Sequence, residues 1–122
     1  MPETEGGAAH VQVLTAASSS EEADTIVAAL LDGRLAACVQ IVGPVRSRYR
    51  WEGRVESAEE WLCIVKTTAT SAAAAIAEID RVHSYDTPEI TVTPIVGGNP
   101  AYLAWIDDEV GGRSNRDGRP GP

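Results

Sequence analysis

The chain has 122 residues, a formal net charge of −8 at pH 7 and a hydrophobic fraction of 43%. A chain of this size forms one domain, and its acidic balance argues against a nucleic-acid partner, which would need a basic face. No stretch approaches the roughly 20 apolar residues of a membrane span. Residues 1–10 lack the charged and then apolar layout of a signal peptide, so we expect a cytoplasmic location.

The first predicted elements are a short strand at residues 11–14 and an amphipathic helix. Ser18 and Ser19 each precede a glutamate by three residues, which is the capping-box pattern at the start of a helix. Apolar residues then recur at helical spacing up to Leu31. Gly33 is expected to end this helix.

One long strand follows, because apolar side chains alternate over the next part of the chain. Gly43-Pro44 interrupts the alternation, and since proline has no N–H to donate, we expect a bulge or bend there. Glu52-Gly53 predicts a tight hairpin tip. The strand is too long to be buried throughout so small a domain. We therefore expect residues 46–51 to project as an arm, with Tyr49 and Trp51 available to grip another molecule.

The second half of the chain predicts two more strands and two more helices. The continuous apolar run at residues 61–65 indicates a strand buried on both faces. A second helix begins at Ser71 and carries an apolar stripe that ends at Val82. Residues 89–96 alternate again as the last strand, and Asn99-Pro100 starts a short terminal helix.

This order of elements predicts an α+β fold of the ferredoxin-like βαββαβ type. The sheet is antiparallel with both main helices on one face, an extended hairpin arm joins the second and third strands, and a helix lies at the C-terminal end. The domain spans residues 11–110, between a flexible leader at residues 1–10 and a disordered tail at residues 111–122. The two main helices cover one face of the sheet, and we expect nothing in the chain to cover the other. Both faces are apolar, so we expect a homo-oligomer of closed symmetry.

Five segments of the sequence together resemble the CutA1 divalent-ion tolerance proteins, in order and with matching spacing from about residue 11 to about residue 110. They are Leu35-Ala36-Ala37-Cys38-Val39, Tyr49-Arg50-Trp51-Glu52-Gly53, Lys66-Thr67, His83-Ser84-Tyr85-Asp86-Thr87-Pro88-Glu89 and Gly98-Asn99-Pro100-Ala101-Tyr102-Leu103-Ala104-Trp105-Ile106. The resemblance implies a ferredoxin-like fold, a tight trimer similar in architecture to PII signalling proteins, and a link to tolerance of copper and other divalent cations. It implies no catalytic activity.

The resemblance also implies a copper site, from which this chain departs. Copper-binding members are described with a cysteine at the end of the first strand and a histidine pair before Pro-Tyr. This chain has Thr15, Val82 and His83 at those positions, with Ser84 in place of the usual proline. Threonine and valine are poor copper ligands, so one of the three ligands is present.

His83, Asp86 and Glu89 are the candidate metal ligands, for Cu²⁺ or another divalent cation held in a cleft between subunits. Each has an alternative role. A histidine at a helix C-terminus also caps the last carbonyls and interacts with the helix dipole. The two carboxylates could instead pair with Lys66 or with an arginine across an interface.

Lys66, Tyr85, Cys38 and Trp51 are the further candidates for lining the cleft. Lys66 could face an anion, although pairing with a carboxylate is the commoner outcome. Cys38 could bind a soft metal as a thiolate, but its apolar neighbours favour a buried, inert thiol, and neither it nor Cys63 matches a metal or redox motif. The aromatic residues favour a trimer interface over a ligand pocket. They are Tyr49, Trp51, Trp61, Tyr102 and Trp105.

The sequence therefore predicts a non-enzymatic homotrimer that responds to divalent cations and binds copper or another divalent metal weakly. A PII-like module is the alternative, which would bind a small anionic metabolite or a partner protein through Lys66 and the arginines Arg46, Arg48 and Arg50. A scaffold whose main property is a very stable trimer is a third possibility. An enzyme is disfavoured, since the chain has no Ser/His/Asp order and no phosphate-cradling glycine loop.

Overall fold

The computed structural model describes residues 7–111. Its elements follow the predicted order: β1 (His10–Ala17), α1 (Ser20–Asp32), β2 (Cys38–Trp51), β3 (Arg54–Thr68), α2 (Ala72–Val82), β4 (Ile90–Ile95) and α3 (Pro100–Glu109). The predicted leader and tail lie outside the described residues apart from residues 7–10 and Gly111. His10, which we placed in the leader, is the first residue of β1.

The four strands form one antiparallel sheet in the order β2-β3-β1-β4. This confirms the predicted ferredoxin-like α+β fold. Among residues 7–111, no helix has the length and apolar character needed to cross a membrane.

The main core lies between the sheet and helices α1 and α2. Val13 and Val65 on the central strands are fully buried against Ile26 of α1 and Ile79 of α2. Side chains alternate along a strand, so the residues between the core positions face the other side of the sheet. That alternation is what the apolar patterns of the strands reflect.

Helix α3 lies against the other face of the sheet, which corrects the expectation that nothing in the chain covers it. Ile106 of α3 is fully buried, and α3 contacts β3. Asp107 Oδ1 lies 3.0 Å from His10 Nε2, and His10 points away from the core because Val11 points into it. The cover is partial, since Leu14, Leu62 and Ile64 remain half-exposed.

The hairpin of β2 and β3 forms the predicted arm. A register shift between Val42 and Val45 confirms the bulge at Gly43-Pro44. Pairing of β3 with β1 ends at Trp61. Within residues 7–111, the next seven pairs, from Val45 to Trp51 on β2, therefore have no third strand beside them. At 3.4 Å per residue this ribbon is roughly 24 Å long.

The tip of the arm is a two-residue turn. Glu52 and Gly53 both have positive φ, 50° and 81°, as hairpin turns of this length require. Strand β3 is longer than predicted because residues 56–60, which read as a polar segment, pair with β2 along their whole length. Leu35, Ala36 and Ala37 lie in the connection between α1 and β2.

Candidate functional site

A cleft of about 620 Å³ opens between the arm and the loop that joins α2 to β4. Three aromatic side chains line it, together with three carboxylates and one guanidinium. They are Tyr49, Trp51, Tyr85, Glu60, Asp86, Glu89 and Arg48. The cleft is therefore acidic and aromatic, with exposed carboxylates at Asp86 and Glu89 and a buried one at Glu60.

The cleft brings together Trp51, Tyr85, Asp86 and Glu89, which were predicted site residues. It does not include Lys66 or Cys38. Lys66 Nζ donates a hydrogen bond of 3.0 Å to Gln40 Oε1, and Cys38 is its partner across β2 and β3. Neither side chain lines the cleft with Asp86 and Glu89. Lys66 pairs with an amide rather than with a carboxylate or an anion.

His83 lies behind the cleft, and its ring is used by the fold. Its side chain is fully buried. Nε2 lies 2.8 Å from the carbonyl oxygen of Ala16, which can only accept, so Nε2 carries the proton. Nδ1 accepts a hydrogen bond of 3.1 Å from the backbone N–H of Tyr85. With both nitrogens engaged in the neutral ring, none is left to bind a metal. This favours the structural alternative for His83, although it bonds β1 rather than the end of its own helix.

Glu22 anchors the loop of the cleft to the start of α1. Its Oε1 accepts from the backbone N–H and the hydroxyl of Ser18, at 2.7 and 2.9 Å. Its Oε2 accepts from the backbone N–H of Ser84 at 2.7 Å and lies 3.8 Å from His83 Nδ1. Burial by itself raises the pKa of Glu22, but the hydrogen bonds from Ser18 and Ser84 outweigh it and lower the pKa to about 2. In the sequence, Glu22 is recognisable only as part of a helix cap.

Glu60 and Tyr85 form the inner wall of the cleft. The Tyr85 hydroxyl donates a hydrogen bond of 2.8 Å to Glu60 Oε2, and the Tyr85 ring lies 4.8 Å from the His83 ring, centroid to centroid. Burial, followed by the hydrogen bond and the charge of Glu60, raises the pKa of Tyr85 to about 12. Glu60 gives no signal of its own in the sequence, because it ends a polar segment.

The predicted ligands do not form a complete metal site within one chain. Among residues 7–111 no group of three or more histidine, cysteine, aspartate or glutamate side chains could hold a metal ion. Both cysteines are free. Burial, with the negative charges of Glu22 and Asp24, raises the pKa of Cys63 to about 11. Cys63 is therefore a protonated core thiol, and it pairs across the strands with Thr15.

The aromatic residues predicted at an interface fall into different environments. Tyr49 and Trp51 on the arm are 45% and 54% exposed. Tyr102 and Trp105 are half-buried on α3, with ring centroids 5.7 Å apart. Trp61, in contrast, packs against the core under the helices. Its packing within the chain explains why this tryptophan follows the apolar alternation of β3.

Comparison with known proteins gives consistent matches across the domain. A family model described as CutA1 divalent ion tolerance protein matches residues 11–109. The divalent-cation tolerance protein CutA of Thermus thermophilus is 42% identical over 99 residues, which cover 81% of this chain and 96% of that protein. The protein of the same name from Archaeoglobus fulgidus is 43% identical over 101 residues, covering 83% of this chain and 98% of that protein.

Solved structures of related proteins have the same fold. CutA from Xylella fastidiosa superimposes with a TM-score of 0.83 at 32% identity, covering 85% of this chain and all (100%) of that one. CutA1 from Oryza sativa superimposes with a TM-score of 0.83 at 32% identity, covering 87% of this chain and 97% of that one.

These comparisons contradict the expected cytoplasmic location. The solved structure from Archaeoglobus fulgidus is described as that of a periplasmic divalent cation tolerance protein. Relatives from Oryza sativa and Arabidopsis thaliana are named as chloroplastic. The expectation rested on the polar character of residues 1–10 alone, and the range of compartments among relatives shows that this was not a sufficient basis.

Proposed function

The chain belongs to the CutA1 divalent ion tolerance family, and we propose that it acts in tolerance of divalent cations as a non-enzymatic homotrimer. In this proposal copper or another divalent metal binds weakly at clefts between subunits. The observation that carries it is the acidic cleft, where three carboxylates outnumber one guanidinium.

The arm supports self-association. An isolated two-stranded ribbon is at best marginally stable in water, yet this one projects with Tyr49, Trp51 and Val55 about half exposed. Contact with another copy of the chain would bury these side chains. A closed symmetric assembly is the usual way to satisfy such a surface on every copy.

Asp86 and Glu89 support weak cation binding at the cleft. Both are exposed, and both lie on the loop that faces the arm. Carboxylate oxygens suit divalent cations, and a net charge of −8 raises the local concentration of cations. Residues 7–111 of one chain offer too few grouped ligands, so in this proposal water or a second copy completes the coordination, and weak binding follows.

The anion-binding alternative has less support. Lys66, its main candidate, bonds to Gln40 away from the cleft. Of the described residues, Arg48 is the one cationic side chain that lines the cleft, which it shares with three carboxylates. The net negative charge of the cleft would repel most anionic metabolites.

Calorimetric titration with Cu²⁺ and Zn²⁺ tests the metal proposal. We expect the double variant Asp86→Asn/Glu89→Gln to bind at least about tenfold more weakly than the parent. The matched control Glu21→Gln/Asp80→Asn removes the same charge from exposed sites on the helices and should bind like the parent. Equal binding of the metal by both double variants would show that Asp86 and Glu89 do not bind it.

Light scattering on the full chain tests the assembly. The homotrimer predicts a mass three times the 12.9 kDa of one chain. A particle of single-chain mass at micromolar concentration would contradict it.

A further inference from the structure

We propose that the cleft of each copy receives the tip of a neighbouring copy's arm, where Arg54 of the partner subunit forms an ion pair with Glu60. One arm and one cleft per copy are sufficient, since a head-to-tail contact of this kind repeats around a closed ring. The inference rests on the proposed homotrimer, and it goes beyond it by naming the residue that the partner contributes to the cleft.

The first argument is the unpaired charge of Glu60. The residue lines the cleft and is 8% exposed, and its hydrogen bond comes from the neutral hydroxyl of Tyr85. The ion pairs among residues 7–111 join other groups, and Arg48, which shares the cleft, forms none with Glu60. A buried carboxylate is costly unless a cation or several hydrogen bonds compensate for the lost water. Within one chain, Glu60 therefore lacks the cation that its burial calls for.

The second argument is the position of Arg54 on the arm. Directly opposed residues of an antiparallel pair share one face, so Arg54 lies beside Trp51, and Tyr49 lies on the same face two positions earlier. These two rings are 54% and 45% exposed in the single chain. If assembly buries this face of the arm, it carries the Arg54 guanidinium into the same contact, and an arginine buried there needs a carboxylate.

The present partner of Arg54 is weak enough to be exchanged. Arg54 Nη2 lies 3.5 Å from Glu56 Oε2, and the two side chains are 79% and 39% exposed. An exposed ion pair of this kind contributes little stability. Pairing with Glu60 in a site closed to water would satisfy the arginine and the buried carboxylate together.

The cleft suits this occupant in charge and in size. Three carboxylates and one guanidinium line it, so a second guanidinium leaves it net negative, and the exposed Asp86 and Glu89 stay available to cations. A volume of about 620 Å³ lies within the range of small-molecule sites and has room for an arginine beside an aromatic ring. Arg54 of the same chain cannot fill it, because six positions of β3 separate it from Glu60, or roughly 20 Å at 3.4 Å per residue.

The test is a double-mutant cycle between Arg54→Gln and Glu60→Gln in the full chain. Glutamine at position 60 can still accept from Tyr85, so the change removes only the charge. Sedimentation of a dilution series gives the apparent dissociation constant, at a denaturant concentration where the parent assembly dissociates measurably. We expect each single variant to raise this constant at least about tenfold. The double variant should equal the weaker single variant, because the pair can be broken only once.

Arg50→Gln is the matched control, since Arg50 is exposed on the arm but lies opposite Val55 on the other face. It should leave the dissociation constant unchanged. The same control covers the case in which Glu60→Gln does not fold. The Arg54 side chain is 79% exposed, so Arg54→Gln leaves the core intact and should still weaken assembly where Arg50→Gln does not.

Two results would overturn the ion pair: equal effects of the two arginine variants, or losses from Arg54→Gln and Glu60→Gln that multiply in the double variant. Either result with the parent still assembled contradicts only this inference. A parent of single-chain mass contradicts the proposed homotrimer itself, so the failure of one proposal is distinguishable from the failure of the other.

Discussion

Substitution of Glu22 by glutamine should destabilise the protein in a pH-dependent way. The Glu22 side chain is 10% exposed. Its carboxylate accepts hydrogen bonds from the backbone N–H groups of Ser18 and Ser84, which lower its pKa from 4.5 to about 2. A carboxyl group whose pKa is lower in the folded state than in the unfolded state stabilises the fold at pH values above its unfolded-state pKa. This stabilisation is lost as the pH falls through the folded-state pKa. This lowering of the Glu22 pKa corresponds to roughly 3 kcal/mol of folding free energy at neutral pH.

Denaturant unfolding from pH 7 to pH 2, at one protein concentration, measures this effect. We expect Glu22→Gln to lower the free energy of unfolding by about 2–3 kcal/mol at pH 7, with the difference from the parent shrinking between pH 4.5 and about 2. Glu21→Gln is the matched control, because Glu21 is exposed on the same turn of α1. Equal stability of the two variants across this pH range would refute the assigned role of Glu22.

Three further predictions concern single side chains. A Cβ on Gly43 would lie 2.6 Å from Trp61 Cδ1, so Gly43→Ala should lower the free energy of unfolding by about 1–3 kcal/mol, whereas Gly97→Ala, which meets nothing within 4 Å, should be nearly neutral in the same assay. The buried Thr15 hydroxyl has no hydrogen-bond partner in the described part of the chain, so Thr15→Val should raise the unfolding free energy by about 1 kcal/mol; a lower value would show that the hydroxyl is hydrogen-bonded. Because the pKa of Tyr85 is raised to about 12, ultraviolet titration should show one tyrosine ionising near that pH, and Tyr85→Phe should remove that step rather than a step near pH 10.

The fold could be predicted from the sequence because its signals are local. The serine caps, the alternation along the strands and the turn at Glu52-Gly53 each report on a few neighbouring residues. The length of β3 was underestimated because residues 56–60 are strand only through pairing with β2. The sequence also did not show that α3 covers part of the second face of the sheet. This cover depends on the burial of Ile106 against strands that are distant in the chain.

The candidate site was predicted less completely, because it depends on contacts between distant residues. The loop after α2 was recognised from its acidic and aromatic residues, and the structure places Asp86 and Glu89 at a cleft. The sequence could not show that His83 bonds to Ala16, or that Glu22 reaches across 62 positions to Ser84. A histidine next to carboxylates looks the same in sequence whether its nitrogens are free or engaged.

The two walls of the cleft differ in how firmly they are held. The loop wall is tied to β1 through His83 and to α1 through Glu22. In residues 7–111 the arm wall, beyond Trp61, is a ribbon whose two strands pair with each other and with no third strand. The gap between them will therefore widen or narrow as the ribbon bends. A ligand bound in the cleft restrains the ribbon, and a neighbouring subunit that restrains the ribbon favours ligand binding in the cleft. Ligand binding and assembly therefore favour each other by mass action.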